Sequence, residues 1–398
     1  MHTLYRLLSP ALLVASVWAF SQDSPTSAPI SKPAAEYLNR AVDLMQQNAL
    51  YRTEIDWTAV REAAFLHSQG AQTPVDTYPG IYFALTQLRE HHSFLRVPDD
   101  LSDADKKRTG SALRNILGPW VRGIMTPPPS PFTYRSQPEG HLLHSGNRTY
   151  AWVSVPACGP KHSNWQDNLA DFRTYATTLD SIAAALSAAH PEGWVIDLRG
   201  NGGGNMWPML AGIGFVLGEG VAGSFVSSDG TVQSEWSYKQ GEALVGTKNM
   251  NDFAVDPPLT LPRLPAVAIL IDSGTISSGE AIAVSFAGRP HTRFFGTHTF
   301  GLSSSNSMLP LPDGASLFLN NAVDEDRTHR RYDNGIEPDV AFPEPSSLPV
   351  ESTDPVLQAA ISWLASFQSG FKVWAGDGAA MSGRCLEPTD GTVRGLDR

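Results

Sequence analysis

Six apolar residues in a row, Ala266–Ile271 (AVAILI), run without a polar break into Asp272-Ser-Gly-Thr-Ile-Ser277-Ser-Gly-Glu280. A short apolar run with no alternation reads as a strand buried on both faces. The small residues after it make a tight turn, and a helix is expected over Gly279–Gly288. A buried strand feeding a helix through such a turn restricts the chain to a layered core. It also leaves the Ser277 hydroxyl exposed, with the free N–H groups of the helix pointing towards it. A serine nucleophile suits that place, because the oxyanion it creates needs those donors. The commonest use of a serine there is a helix N-cap, and Glu280 three residues on completes a capping box. The turn alone is therefore weak evidence of catalysis. No lysine occurs between Lys248 and Lys372, so a base for Ser277 must come from elsewhere.

The rest of the pattern fits an α/β chain. Residues 31–67 carry helical periodicity through Tyr37, Leu38, Val42, Leu44 and Met45, then Trp57 and Val60. A further helix is expected over Pro79–Arg89. Together they make an N-terminal helical domain, residues 22–98, closing at REHHSFLRVP. Residues 99–147, with the Pro-rich TPPPSPF stretch, read as a loosely built connector. From Arg148 strands and helices alternate: strands at Tyr150–Val155, Trp194–Leu198, Ala266–Ile271, Arg293–Gly296 and Ser316–Asn320, helices at Leu169–Ala188 and Trp207–Leu217. A last helix is expected over Asp354–Phe367, with Asp354 as N-cap and Pro355 at its first position.

With 398 residues the chain is long enough for one large domain and a smaller one. A formal charge of -11 argues against nucleic acid as a partner. Arg6, the apolar Leu7–Phe20 and the small residues around Ala19 and Ser21 read as a secretory signal over residues 1–21, so the mature protein is expected in the periplasm or outside the cell. No later stretch has transmembrane length. Cys158 and Cys385 match no zinc spacing, and can be read either as one disulfide or as two unpaired thiols.

Asp197-Leu-Arg-Gly-Asn-Gly-Gly-Gly204 follows a strand and precedes a helix. It is not a dinucleotide loop: with Gly200 and Gly202 as the first two glycines, Asn205 occupies the third position. The lysine and hydroxyl of a P-loop are missing too. Adjacent glycines can instead offer backbone N–H groups to one oxygen, which favours an oxyanion role over a plain flexible turn. The candidate bases are His91, His92, His162, His291 and His298, and the residues themselves do not choose among them.

Taken together, three blocks resemble the tail-specific, or C-terminal-processing, serine peptidase family. DLRGNGGG is similar to its Asp-x-Arg-x-Asn-x-Gly-Gly turn, and TISSGE to its Thr-x-Ser-x-x-Glu nucleophile block. FFGTHTFGL, LPDGASLFL and NGIEPDV are similar to its closing blocks, in the family's order, over roughly residues 148–345. Leu302 stands where the processing branch has its lysine, and there is no room for that branch's PDZ module. The chain is closer to the branch that includes the tricorn core protease and the repeats of interphotoreceptor retinoid-binding protein.

That resemblance implies an α/β (α+β) protein: the helical domain and a ClpP/crotonase-like, β-rich catalytic core with flanking helices over residues 148–345, then a C-terminal helix and tail, 346–398. It implies a peptidase without metal or cofactor, acting on extended or unfolded polypeptides. Ser277 would be the nucleophile and His92 its base. Asp333 or the Ser93 hydroxyl would orient His92, and the N–H groups of Ser278 and of Gly203 or Gly204 would hold the oxyanion. The competing reading is a non-catalytic binding protein for apolar ligands or peptides on the same scaffold. A small-substrate esterase is disfavoured because Thr275 breaks the Gly-x-Ser-x-Gly elbow.

Overall fold

A computed structural model describes residues 29–369, apart from 99, 112–129, 133–134, 163 and 251–252. The expected signal over 1–21 and the tail beyond 369 lie outside the described residues. So does Cys385, and with it the question of its pairing with Cys158. No helix among the described residues is long and apolar enough to cross a membrane.

Three helices open the chain: α1 (Lys32–Asn48), α2 (Trp57–Leu66) and α3 (Tyr78–Thr86). Ser31 caps α1 by accepting the Ala34 N–H, and Asp56 caps α2 through the N–H groups of Thr58 and Ala59. Tyr37, Leu38, Ala41, Val42 and Met45 recur at helical spacing, so α1 buries a single face. That face does not close on helices alone. Its cluster takes in Leu95 from β1 (Phe94–Arg96) and Leu317 and Leu319 from β12 (Ser316–Asp326). The helical part is thus seated on a sheet of the core.

That sheet has seven strands. Its order is β1, β12, β5 (Gly220–Val226), β6 (Val232–Lys239), β7 (Glu242–Val245), β8 (Lys248–Asn249), with β11 (Ser304–Pro310) also paired to β12. β12 carries both β1, in the register Phe94↔Phe318, and β11, in the register Met308↔Phe318. The hairpin of β11 and β12 therefore joins the two halves of the molecule. Its Leu-Pro-Asp-Gly turn reaches back to the helices: Asp313 accepts hydrogen bonds from the Tyr37 hydroxyl at 2.7 Å and the Tyr78 hydroxyl at 2.5 Å.

The second sheet has six strands in the order β13 (Val340–Ala341), β10 (Thr292–Gly296), β9 (Val267–Ile271), β4 (Trp194–Asp197), β3 (Arg148–Ser154), β2 (Glu139–Ser145). All its pairings are parallel except β2 with β3. β9 lies in the middle, which explains its unbroken apolar run. Val267, Ile269 and Ile271 face the cluster built on helices α4 (Trp165–Ser187), α5 (Met206–Leu217) and α6 (Ser278–Phe286). Ala268 and Leu270 face α7 (Pro355–Ser369).

Several boundaries differ from the sequence-based expectation, each for a local reason. β2 pairs with β3 from Glu139↔Ser154 to Ser145↔Arg148, so the expected connector supplies an edge strand to the core sheet. As an edge strand it is only partly buried, with Leu142 packed on the α4 side and Leu143 on the α7 side. α4 starts at Trp165, four residues early, where Asn164 accepts the Asp167 N–H. β12 continues past Asn320 through Asp326, although Asp324 and Asp326 are buried. α7 follows the expected cap, with Asp354 accepting the N–H groups of Val356 and Leu357.

Candidate active site

The turn after β9 holds Ser277 at φ 53° and ψ −118°, a backbone conformation that L-residues rarely adopt. The surroundings enforce it. Thr275 donates its hydroxyl to the Leu198 carbonyl at 2.9 Å, and Asp272 accepts the N–H groups of Gly200 and Gly274. Glu280, fully buried in the first turn of α6, accepts four hydrogen bonds. They come from the Ser277 N–H, the Gly301 N–H and the Leu302 N–H, each at 2.8 Å, and from the Thr299 hydroxyl at 2.6 Å. Burial raises the Glu280 carboxyl above the usual range, and those donors oppose the rise. One side chain thus joins the Ser277 turn to the Thr-Phe-Gly-Leu block.

The glycine run lies against this turn. The Ile276 N–H donates to the Asn201 carbonyl at 2.9 Å, and the Ser278 hydroxyl donates to the Gly204 carbonyl at 2.7 Å. Behind the loop, Asp197 is held by Arg135 and Arg199 in a buried ion pair, and Arg199 also reaches Asp354 at the start of α7. These two arginines hold the Asp197 carboxyl down at about 2 against its burial. Of the three expected oxyanion donors, Gly203 is already engaged: its N–H donates to Asn201 Oδ1 at 2.9 Å. Its contribution is the lack of a side chain, since a Cβ there would lie 2.8 Å from the Ile276 carbonyl oxygen and 3.0 Å from Ser277 Cβ. The N–H groups of Gly204 and Ser278 have no partner among the described residues.

His92 comes from the turn between α3 and β1. Its Nε2 lies 3.0 Å from Ser277 Oγ across 185 residues of sequence. Its backbone N–H donates to Glu90 at 2.6 Å, and its carbonyl accepts from Asn306 Nδ2 at 3.0 Å. Its Nδ1 lies 2.8 Å from Ser304 Oγ at the start of β11. Burial, with no carboxylate on the ring to oppose it, pushes the imidazole down to about 4. The ring is neutral at pH 7, as a proton acceptor must be.

The two expected orienters of His92 stand elsewhere. Asp333 is mostly exposed and paired with Arg331 at 2.8 Å. The Ser93 hydroxyl accepts the Asn320 N–H at 2.8 Å, which fixes β1 against β12. Glu325 and Glu337, close to Asp333 in sequence, pair with His329 and His298. His162, another candidate, pairs with Asp171. Sequence reasoning missed Ser304 and Asn306, and gave Asn201 no role of its own. It read the Ser303–Ser307 stretch as nothing in particular, because five small polar residues carry no periodic signal. It also missed Asp324, which is fully buried beside Glu280 with neither carboxyl oxygen hydrogen-bonded. Burial, and then the neighbouring Glu280, push that carboxyl well above the usual range.

Residues 168–342 match the family model of peptidase family S41. Among curated relatives, the nisin-resistance protein of Lactococcus lactis subsp. lactis is 25% identical over 332 residues, covering 83% of this chain and 87% of that protein. The chloroplastic carboxyl-terminal-processing peptidase 2 of Arabidopsis thaliana is 28% identical over 157 residues, 39% of this chain and 27% of its own length. Two solved structures share the fold. A lipoprotein from Streptococcus agalactiae superposes with a TM-score of 0.61 at 19% identity, covering 85% of this chain and 99% of that one. The photosystem II D1 C-terminal processing protease gives a TM-score of 0.52 at 15% identity, covering 80% and 95%.

Proposed function

From the premise that this chain carries a peptidase family S41 domain over residues 168–342, we propose that it is an exported serine peptidase of the lysine-less kind. In this reading it cleaves extended or unfolded polypeptides with Ser277 as nucleophile and His92 as base. The observation that carries the assignment is the 3.0 Å approach of Ser277 Oγ to His92 Nε2, two groups from separate parts of the chain. A buried histidine pushed to about 4 beside a serine held at positive φ supports this reading.

The chemistry follows from the geometry. His92 Nε2 takes the Ser277 proton as Oγ attacks the peptide carbonyl carbon. The oxyanion settles against the N–H groups of Ser278, at the positive end of α6, and of Gly204. His92 then gives the proton to the leaving amine, which departs as the C–N bond breaks and an acyl-enzyme ester remains. Water attacks that ester by the same route in reverse, freeing the new carboxylate and restoring Ser277. A peptide can lie extended by adding a strand at a sheet edge, which suits unfolded substrates. The nisin-resistance relative makes nisin one peptide to include among the substrates tried. Export is supported by the apolar Leu7–Phe20 segment behind Arg6.

The test is hydrolysis of an unfolded protein and of a peptide panel, together with labelling by a fluorophosphonate. Ser277→Ala and His92→Ala should each abolish turnover, and Ser277→Ala should abolish labelling. Undiminished hydrolysis by Ser277→Ala would overturn the peptidase assignment. Full activity in His92→Ala would move the base to another group.

A further inference from the structure

We propose that Ser304 is the positioning residue of His92, so that the site is a Ser277–His92–Ser304 row with a hydroxyl where an acid is usually found. This rests on the peptidase reading above and goes beyond it. Ser304 Oγ lies 2.8 Å from Nδ1, and no carboxylate among the described residues is hydrogen-bonded to the ring. For Nε2 to accept the Ser277 proton, the ring proton must sit on Nδ1, and Ser304 Oγ is then its acceptor. The rest of His92 is fixed by Glu90 on its N–H and by Asn306 on its carbonyl. Rotation about the side chain is the freedom left, and Ser304 limits it.

The placement of Ser304 is not incidental. It opens β11 in register with Val323 of β12, and its N–H is tied to the Leu302 carbonyl at 2.8 Å. Asn306, two residues on, holds the His92 carbonyl. A single strand edge therefore fixes both the backbone and the ring of the base. In the reaction the Ser277 proton moves to Nε2 while the Nδ1 proton stays shared with Ser304, which keeps its own. Ser304 thus orients the ring and carries no charge to offset the imidazolium. A carboxylate in its place would do both.

Two substitutions of nearly equal shape isolate the hydroxyl. Ser304→Thr keeps it and Ser304→Val removes it, and both suit a strand. The structure leads us to expect Ser304→Thr within about two-fold of the parent and Ser304→Val about ten-fold lower in kcat with KM unchanged, the worth of one hydrogen bond. Ser304→Asp should raise the acid limb of the kcat/KM profile by about one to two pH units, since a nearby negative charge favours the imidazolium. Equal kcat for the valine and threonine variants, or an aspartate variant whose acid limb does not move, would overturn the assignment. Ser277→Ala and His92→Ala, run alongside, separate the two levels. If they are inactive while Ser304→Val is normal, only the Ser304 role fails. If Ser277→Ala is active, the peptidase reading itself fails.

Discussion

Two adjacent glycines give a test of the way the loop and the nucleophile turn fit. Gly203 sits at φ +89°, and a Cβ built there would lie 2.8 Å from the Ile276 carbonyl oxygen, 3.0 Å from Ser277 Cβ and 3.2 Å from the Ser278 nitrogen. Those three atoms belong to the turn that aims Ser277 and to an expected oxyanion donor. An alanine side chain at positive φ costs about 1–3 kcal/mol in backbone strain alone. The carbonyl contact cannot be relieved by a side-chain rotation, since it is to backbone, so the turn must shift as well. Gly203→Ala is therefore expected to lose about 2–4 kcal/mol, or roughly 5 °C in Tm. A displacement of about 1 Å at Ser277 should lower kcat about 100-fold. Gly202 is the control: a Cβ there meets nothing within 4 Å, so Gly202→Ala should stay within about 1 kcal/mol and keep its turnover. The assays are thermal unfolding and steady-state hydrolysis on all three proteins. If Gly203→Ala matches Gly202→Ala in kcat, the close approach of the glycine loop does not set the nucleophile, and the reasoning is refuted.

Further outcomes follow from the same contacts. His92 must be neutral to accept a proton, and its imidazole lies at about 4 instead of the usual 6.5. Activity should hold as pH falls through 6.5 and drop only towards about 4, so an inflection near 6.5 in kcat/KM would contradict the buried, acid-free setting of the ring. Asp313→Ala leaves the Tyr37 and Tyr78 hydroxyls without their acceptor. It should cost about 3 kcal/mol in unfolding and speed proteolytic release of the helical part, read by limited digestion.

How much of this was legible beforehand depended on range. β9 and the turn behind it showed in the sequence, because AVAILI and the small residues after it are local signals. So did the start of the last helix among the described residues, where Asp354 and Pro355 open α7. The pairing of Ser277 with His92 was legible only through the family resemblance, since nothing in either segment points to the other. Ser304 was out of reach. Its role depends on the register of β11 with β12 and of β12 with β1, and those registers follow from packing under α1 and α3. Gly203 illustrates a finer limit. The three glycines look equivalent in sequence, yet the Asn201 side chain engages the N–H of one and leaves another open.

The order of residues along the chain gives the β11–β12 hairpin one more consequence. A ribosome makes His92 first and Ser277 185 residues later. The strands that align them, Ser304–Pro310 and Ser316–Asp326, emerge after both. An incomplete chain ending before these strands has a histidine and a serine but no frame to align them. On the proposed reading, the Ser277–His92 pair is therefore not aligned until residue 326 has been made and the hairpin has folded. The delay is set by the position of the hairpin in the sequence.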